Sequence, residues 1–92
     1  MIQSFNHRGL ELFFSKGSYR AIPAQYAPRL VRLLDRLDSA GEPEDMNLPG
    51  YRFHQLQGKR KKTYAVLVSG NLRLTFKFDG ENAIDVDLED YH

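Results

Sequence analysis

A chain of 92 residues, 41% of them aliphatic or aromatic, is expected to fold as one small domain spanning residues 1–92 around one core. It contains no cysteine, which excludes disulfides, thiolate metal sites and a thiol nucleophile. It also shows no secretory leader and no apolar run of the ~20 residues a membrane span needs, so a cytoplasmic setting away from the membrane is expected. The net charge of +1 hides a segregation: Arg52 to Lys77 hold seven basic residues and no acidic one, and Phe78 to His92 hold six acidic residues and no Lys or Arg.

In chain order, "MIQSF" alternates apolar and polar residues and predicts a short first strand. "HRGLELFFSKG" sets Leu10, Phe13 and Phe14 at helical spacing, with Gly17 as the stop; His7 in this stretch reads as structural. A second helix is predicted over roughly 24–40, with Ala27, Leu30, Val31, Leu34 and Leu37 as its apolar stripe and Gly41 at its end. Pro28 either starts that helix or kinks it, because proline lacks a backbone donor. "GEPEDMNLPG" reads as a polar connection dense in turn formers.

From Tyr51 the period changes to two. "YRFHQL", "KTYAVLV", "LRLTFKF" and "AIDVDLED" predict four strands, separated by "QGKRK", "SGN" and "DGEN". In the third, Leu72, Leu74, Phe76 and Phe78 share one face, and Arg73, Thr75 and Lys77 the other. In the fourth, Ile84, Val86 and Leu88 oppose Asp85, Asp87 and Glu89. The expected architecture is α+β in the order β-α-α-β-β-β-β, with two N-terminal helices packed on the dry face of a mainly antiparallel sheet. A hairpin at "DGEN" would set Phe78 near Ile84, Phe76 near Val86, Lys77 opposite Asp85 and Arg73 opposite Glu89. It would also bring the chain end back beside Leu72.

The charged face carries the chemistry. His54 lies on the strand before the basic loop, and His92 is placed to share its face; histidine offers both an acid and a base form near neutral pH. Arg73 must point away from the core. The residues leave it two roles, an ion pair with Glu89 or a guanidinium fork on a phosphate. Lys59, Arg60, Lys61, Lys62 and Lys77, with Arg52, would attract a polyanion without base specificity. Tyr51, Tyr64 and Tyr91 are either stacking platforms or ordinary sheet tyrosines. Asp85, Asp87 and Glu89 alternate onto one face, but Lys77 and Arg73 look like their partners, so no metal site is expected. A His, His, Tyr, Asp and Arg set without a metal suits RNA cleavage by the RNA's own 2′-hydroxyl. A base takes its proton, cations neutralise the phosphorane, and an acid protonates the leaving 5′-oxygen.

"MIQSFNHRGLELFF", "APRLVRLLDRLDSA", "PEDMNLPGYRFHQLQG", "VSGNLRLTFKF" and the terminal "VDLEDYH" resemble the HigB (host-inhibition-of-growth) toxins of the RelE/ParE superfamily of bacterial type II toxin–antitoxin systems. The resemblance runs from end to end. It implies a RelE-like, microbial-ribonuclease-like fold and a ribosome-dependent endoribonuclease that cuts mRNA in the A site of the 70S ribosome, without metal or other cofactor. It further implies neutralisation by a HigA-type helix-turn-helix antitoxin, with operator DNA bound only through the toxin–antitoxin complex.

The family's strand histidine falls on His54, its terminal acid-Tyr-His on Asp90, Tyr91 and His92, and its strand arginine on Arg73. These imply His92 or Asp90 as base, His54 or Tyr91 as acid, and Arg73 as the cation at the transition state. Many relatives read "HPLKG" where this chain reads "HQLQG", so Gln57 stands where a lysine is often expected near the phosphate. Gln57 can hydrogen-bond but cannot neutralise charge, which leaves Lys59 or Arg60 to compensate or cleavage to be slower. The competing readings are a ParE-like inhibitor of DNA gyrase on the same fold, and a non-enzymatic RNA- or ribosome-binding module using the basic stretch alone.

Overall fold

The structure is a computed structural model that describes residues 1–90. Two helices, α1 (Arg8–Lys16) and α2 (Ala27–Ser39), precede four strands, β1 (His54–Gln55), β2 (Tyr64–Ser69), β3 (Leu72–Asp79) and β4 (Asn82–Asp90). The strands form one antiparallel sheet in the order β1-β2-β3-β4. The architecture is the α+β arrangement that the change of period predicts.

The predicted first strand is present only as two parallel bridges onto β4, Ile2 to Ala83 and Phe5 to Val86. Its regular ladder is broken by a bulge in β4. Asp85 there adopts a left-handed φ of 52°, and its N–H is bonded by Ser4 Oγ at 2.8 Å. The same bulge corrects the expected hairpin register. Near the chain end Arg73 pairs with Glu89 and Leu74 with Leu88 as alternation requires, but nearer the turn Lys77 pairs with Ile84 and Phe78 with Ala83. Ala83 takes the buried place expected of Ile84, which sits half-buried on the other side.

α1 is capped at both ends by its own sequence. His7 Nδ1 accepts the Leu10 N–H at 2.9 Å, so His7 is an N-cap, and Gly17 closes the helix in a left-handed conformation at φ 69°. Pro28 starts α2 and does not kink it: a 3₁₀ turn, Ala24–Tyr26, leads in, and the proline occupies the first turn, where no donor is missed. The buried stripe of α2 is Ala27, Leu30, Leu33, Leu34 and Leu37. Leu33 replaces the expected Val31, which is 44% exposed. The connection after α2 is not wholly polar, because the turn Pro43–Met46 plugs Met46 into the core at 0% exposure.

These side chains pack on Val66, Val68, Leu74, Phe76, Ala83 and Val86 from one face of the sheet. A ladder of rings, Phe53, Tyr64, Phe76 and Phe78, runs across that same face with centroids 5.6–6.1 Å apart. Arg29 ties α2 to the far side of the core. Its guanidinium donates to the Leu67 carbonyl at 2.9 Å and to the Gly50 carbonyl at 2.8 Å, and it lies over the Tyr51 ring. Tyr51 and Tyr64 are therefore structural aromatics. Among the described residues no helix is long and apolar enough to cross a membrane.

Candidate nucleic-acid-cleaving face

The face of the sheet away from the helices is built by strand alternation. One row across it reads His54, Ala65, Thr75, Asp87, and the next reads Leu67, Arg73, Glu89. His54 and Arg73 thus share a face two strand spacings apart, roughly 10 Å across the sheet. The strand predicted from "YRFHQL" shrinks to His54–Gln55 because Arg52 takes a left-handed φ of 50°. That kink aims the Arg52 carbonyl at the His54 ring, with Nδ1 at 3.0 Å. A carbonyl only accepts, so Nδ1 carries a proton and Nε2 is left for an outside partner. Neutral His54 can then act as a base through Nε2, and doubly protonated His54 as an acid.

Arg73 is half-buried, and its Nε and Nη1 are shielded from solvent. Its cross-strand neighbour Glu89 was the expected ion-pair partner, yet the Glu89 carboxylate is held by other groups. Arg60 donates to both oxygens at 2.9 and 2.6 Å, and Thr75 Oγ1 donates at 2.5 Å. The Arg60 hydrogen bonds hold the Glu89 carboxyl below its ordinary range, reinforced by Thr75 and opposed by desolvation. Lys77 meets Asp85 at 3.8 Å, as charge alternation predicts, although its backbone partner is Ile84.

The basic loop is an ordered element. Gly58–Arg60 forms a 3₁₀ turn, Thr63 N–H bonds the Arg60 carbonyl at 2.8 Å, and Leu56 N–H bonds the Thr63 carbonyl at 2.8 Å. Gln55 Nε2 also donates to the Lys61 carbonyl. Lys59, Lys61 and Lys62 stand exposed on this loop, and so does Gln57 just before it. A cleft of about 470 Å³ separates the loop from β4, with Lys59 to Lys62 on one wall and Asp85, Asp87 and Glu89 on the other. Thr63 and Thr75, both buried, lie between.

Asp90 occupies a different place. It pairs with Leu72 and lines a second hollow of about 350 Å³ with Leu88, Asn71 and Tyr26, on the helix side of the strand end. Tyr91 and His92, expected from the sequence to belong to the site, lie outside the described residues. Among the described residues, no three His, Cys, Asp or Glu side chains come together as a metal-ligand group. Sequence reasoning missed the role of Thr75 and the pairing of Arg60 with Glu89, partners 29 positions apart. The only local signal was a threonine set among charged residues on an open face.

Comparison with known proteins covers nearly the whole chain. Residues 3–92 match the family of RelE-like toxins of type II toxin–antitoxin systems, HigB. The chain is 39% identical over 92 residues to the protein named Endoribonuclease HigB of Proteus vulgaris, covering all of both chains. It is 31% identical over 91 residues to Toxin HigB-1 of Vibrio cholerae serotype O1, covering 97% of this chain and 96% of the relative. The fold, the matched length and both relatives lead to one assignment: the chain belongs to the HigB-like family of RelE-like toxins.

Proposed function

We propose that the chain is an endoribonuclease, the toxin of a type II module, and that it cuts mRNA in the ribosomal A site in the cytoplasm to stop translation. The observation that carries this reading is the shared face of His54 and Arg73 beside the basic loop, in a chain whose relative is named an endoribonuclease. The reaction needs a base, an acid and a cation, and no metal. The 2′-hydroxyl loses its proton to His92, since Asp90 turns to the helix side of the strand end, and the 2′-oxygen attacks the adjacent phosphorus. Arg73 neutralises the charge gathering on the phosphorane. The P–O5′ bond breaks as His54 or Tyr91 protonates the leaving oxygen, giving a 2′,3′-cyclic phosphate and a free 5′-hydroxyl.

Lys59, Lys61, Lys62 and Lys77 supply backbone attraction beside this centre. Arg60 stands in the same loop with its charge met by Glu89, so Lys59 is the better replacement for the lysine absent at Gln57. A type II toxin has an antitoxin; the HigA type, and operator binding by the pair, are the forms proposed for it here.

The test is a defined mRNA translated on purified ribosomes with wild-type protein and with His92→Ala. Codon-phased cleavage by the wild type, reduced ~10²–10⁴-fold in the variant, is expected for a lost acid or base. Intact mRNA in both reactions would overturn the enzyme reading and move the question to gyrase supercoiling. Full cleavage by the variant would remove the tail from the mechanism.

A further inference from the structure

Glu89 on the open face is held from two sides. Its two oxygens collect three hydrogen bonds from two separate elements, the Arg60 guanidinium of the basic loop and the Thr75 hydroxyl of β3. Thr75 is buried at 3% exposure, so that hydroxyl is a fixed anchor. Glu89 is also the residue immediately before Asp90, at the end of β4.

We infer that Glu89 is a positioning residue which bolts the phosphate-facing basic loop and the C-terminal end of β4 to the same point of the sheet. The inference rests on the proposed cleavage reaction for its kinetic consequences, but the bolt itself is a statement about this chain. Each arm has a distinct task. The Arg60 arm sets the Gly58–Arg60 turn, and with it the directions of Lys59, Lys61 and Lys62 toward RNA phosphates. A bidentate fork fixes orientation as well as distance, which a lysine at the same position would not do. The Thr75 arm fixes the C-terminal end of β4 at the residue before Asp90. Small misplacements of reacting groups are costly, up to ~10²-fold for about 1 Å.

The two arms therefore have separable kinetic signatures. Arg60→Gln frees the loop and should raise KM about tenfold with kcat changed less than about threefold. Thr75→Val keeps shape but removes the donor, and should lower kcat about tenfold or more with KM nearly unchanged. Thr75→Ser, which restores the hydroxyl, should recover wild-type kcat. Glu89→Gln should show both defects, and adding Arg60→Gln to it should raise KM no further, because the pair acts as one unit.

The same variants are followed by amide hydrogen exchange on the free protein, with no RNA or ribosome present. Faster exchange at the Thr63 and Leu56 amides in Glu89→Gln and Arg60→Gln, with the core amides unchanged, is the expected result. Unchanged exchange at those two amides would overturn the bolt. Additive KM effects, or kinetic defects that only track the loss of thermal stability, would overturn its role in positioning. If the wild type cuts no mRNA, the cleavage reading fails and the positioning role falls with it, while the exchange result still decides the bolt.

Discussion

The two faces of the sheet are held by different physics. On the helix side, Leu74, Phe76, Val66 and Val86 meet the leucines of α2 in a dry interface where many weak contacts share the work. On the open side, Thr75, Glu89, Arg60 and the His54–Arg52 contact are held by a few directional bonds. Non-directional packing tolerates apolar exchanges of similar volume, because no single contact fixes the geometry. Directional bonding does not. A substitution on the first face should cost stability, and one on the second should cost function with the fold retained.

The largest break of that contrast comes from the dry side. Phe76→Ala removes a fully buried ring from the middle of the aromatic ladder, and should cost ~3–5 kcal/mol in chemical denaturation. For a domain of this size that is a large share of the ~5–15 kcal/mol available. A loss below about 1 kcal/mol would show that the face repacks. Next is Arg73→Gln, for which mRNA cleavage on ribosomes should fall ~10²–10³-fold, the usual cost of deleting a transition-state donor. Its circular dichroism should match the wild type. Collapse of the fold would instead make Arg73 a structural residue.

A smaller effect is expected where α1 meets the segment before α2. An added Cβ on Gly9 would sit 2.2 Å from Ala21 Cβ, so Gly9→Ala should cost ~1–3 kcal/mol by forcing the two backbones apart. An unchanged melting temperature would show that the contact yields freely. The smallest effect is the pH response of Glu89. Its folded carboxyl titrates below the ordinary value of 4.5, so its contribution is present above that value and disappears as pH falls through the lowered one. Stability measured against acid pH should therefore decline less steeply in Glu89→Gln. Identical slopes would mean that the Arg60 contact carries no linkage.

Legibility in the sequence divides along the same line. The period of 3.6 in α2 and the period of two from Tyr51 onward reveal the helices, the strands and which face is dry, because burial repeats with the backbone. His54 and Arg73 could be set on one face by the same alternation. The Asp85 bulge could not be seen, since one extra residue leaves the apolar pattern intact on either side of it, and Ala83 exchanges places with Ile84. Arg52's left-handed turn was hidden for a related reason: nothing in an arginine signals a positive φ. The Arg60–Glu89 clamp joins residues far apart in the chain, and charge segregation alone gave several possible partners for each. Asp90 alternates to the side of Leu72, a placement that follows from the register at the strand end and not from the run of carboxylates.

The central claim is that the open face carries the reaction and the dry face carries the fold, and His54 tests it most directly. Wild type and His54→Ala, from parallel preparations, are compared for thermal midpoint and for the rate of cutting a defined mRNA on ribosomes. His54 is exposed, so the midpoint should stay unchanged while the rate falls ~10²–10⁴-fold. A variant that cuts at the wild-type rate, or one that loses activity only because it melts, would contradict the account.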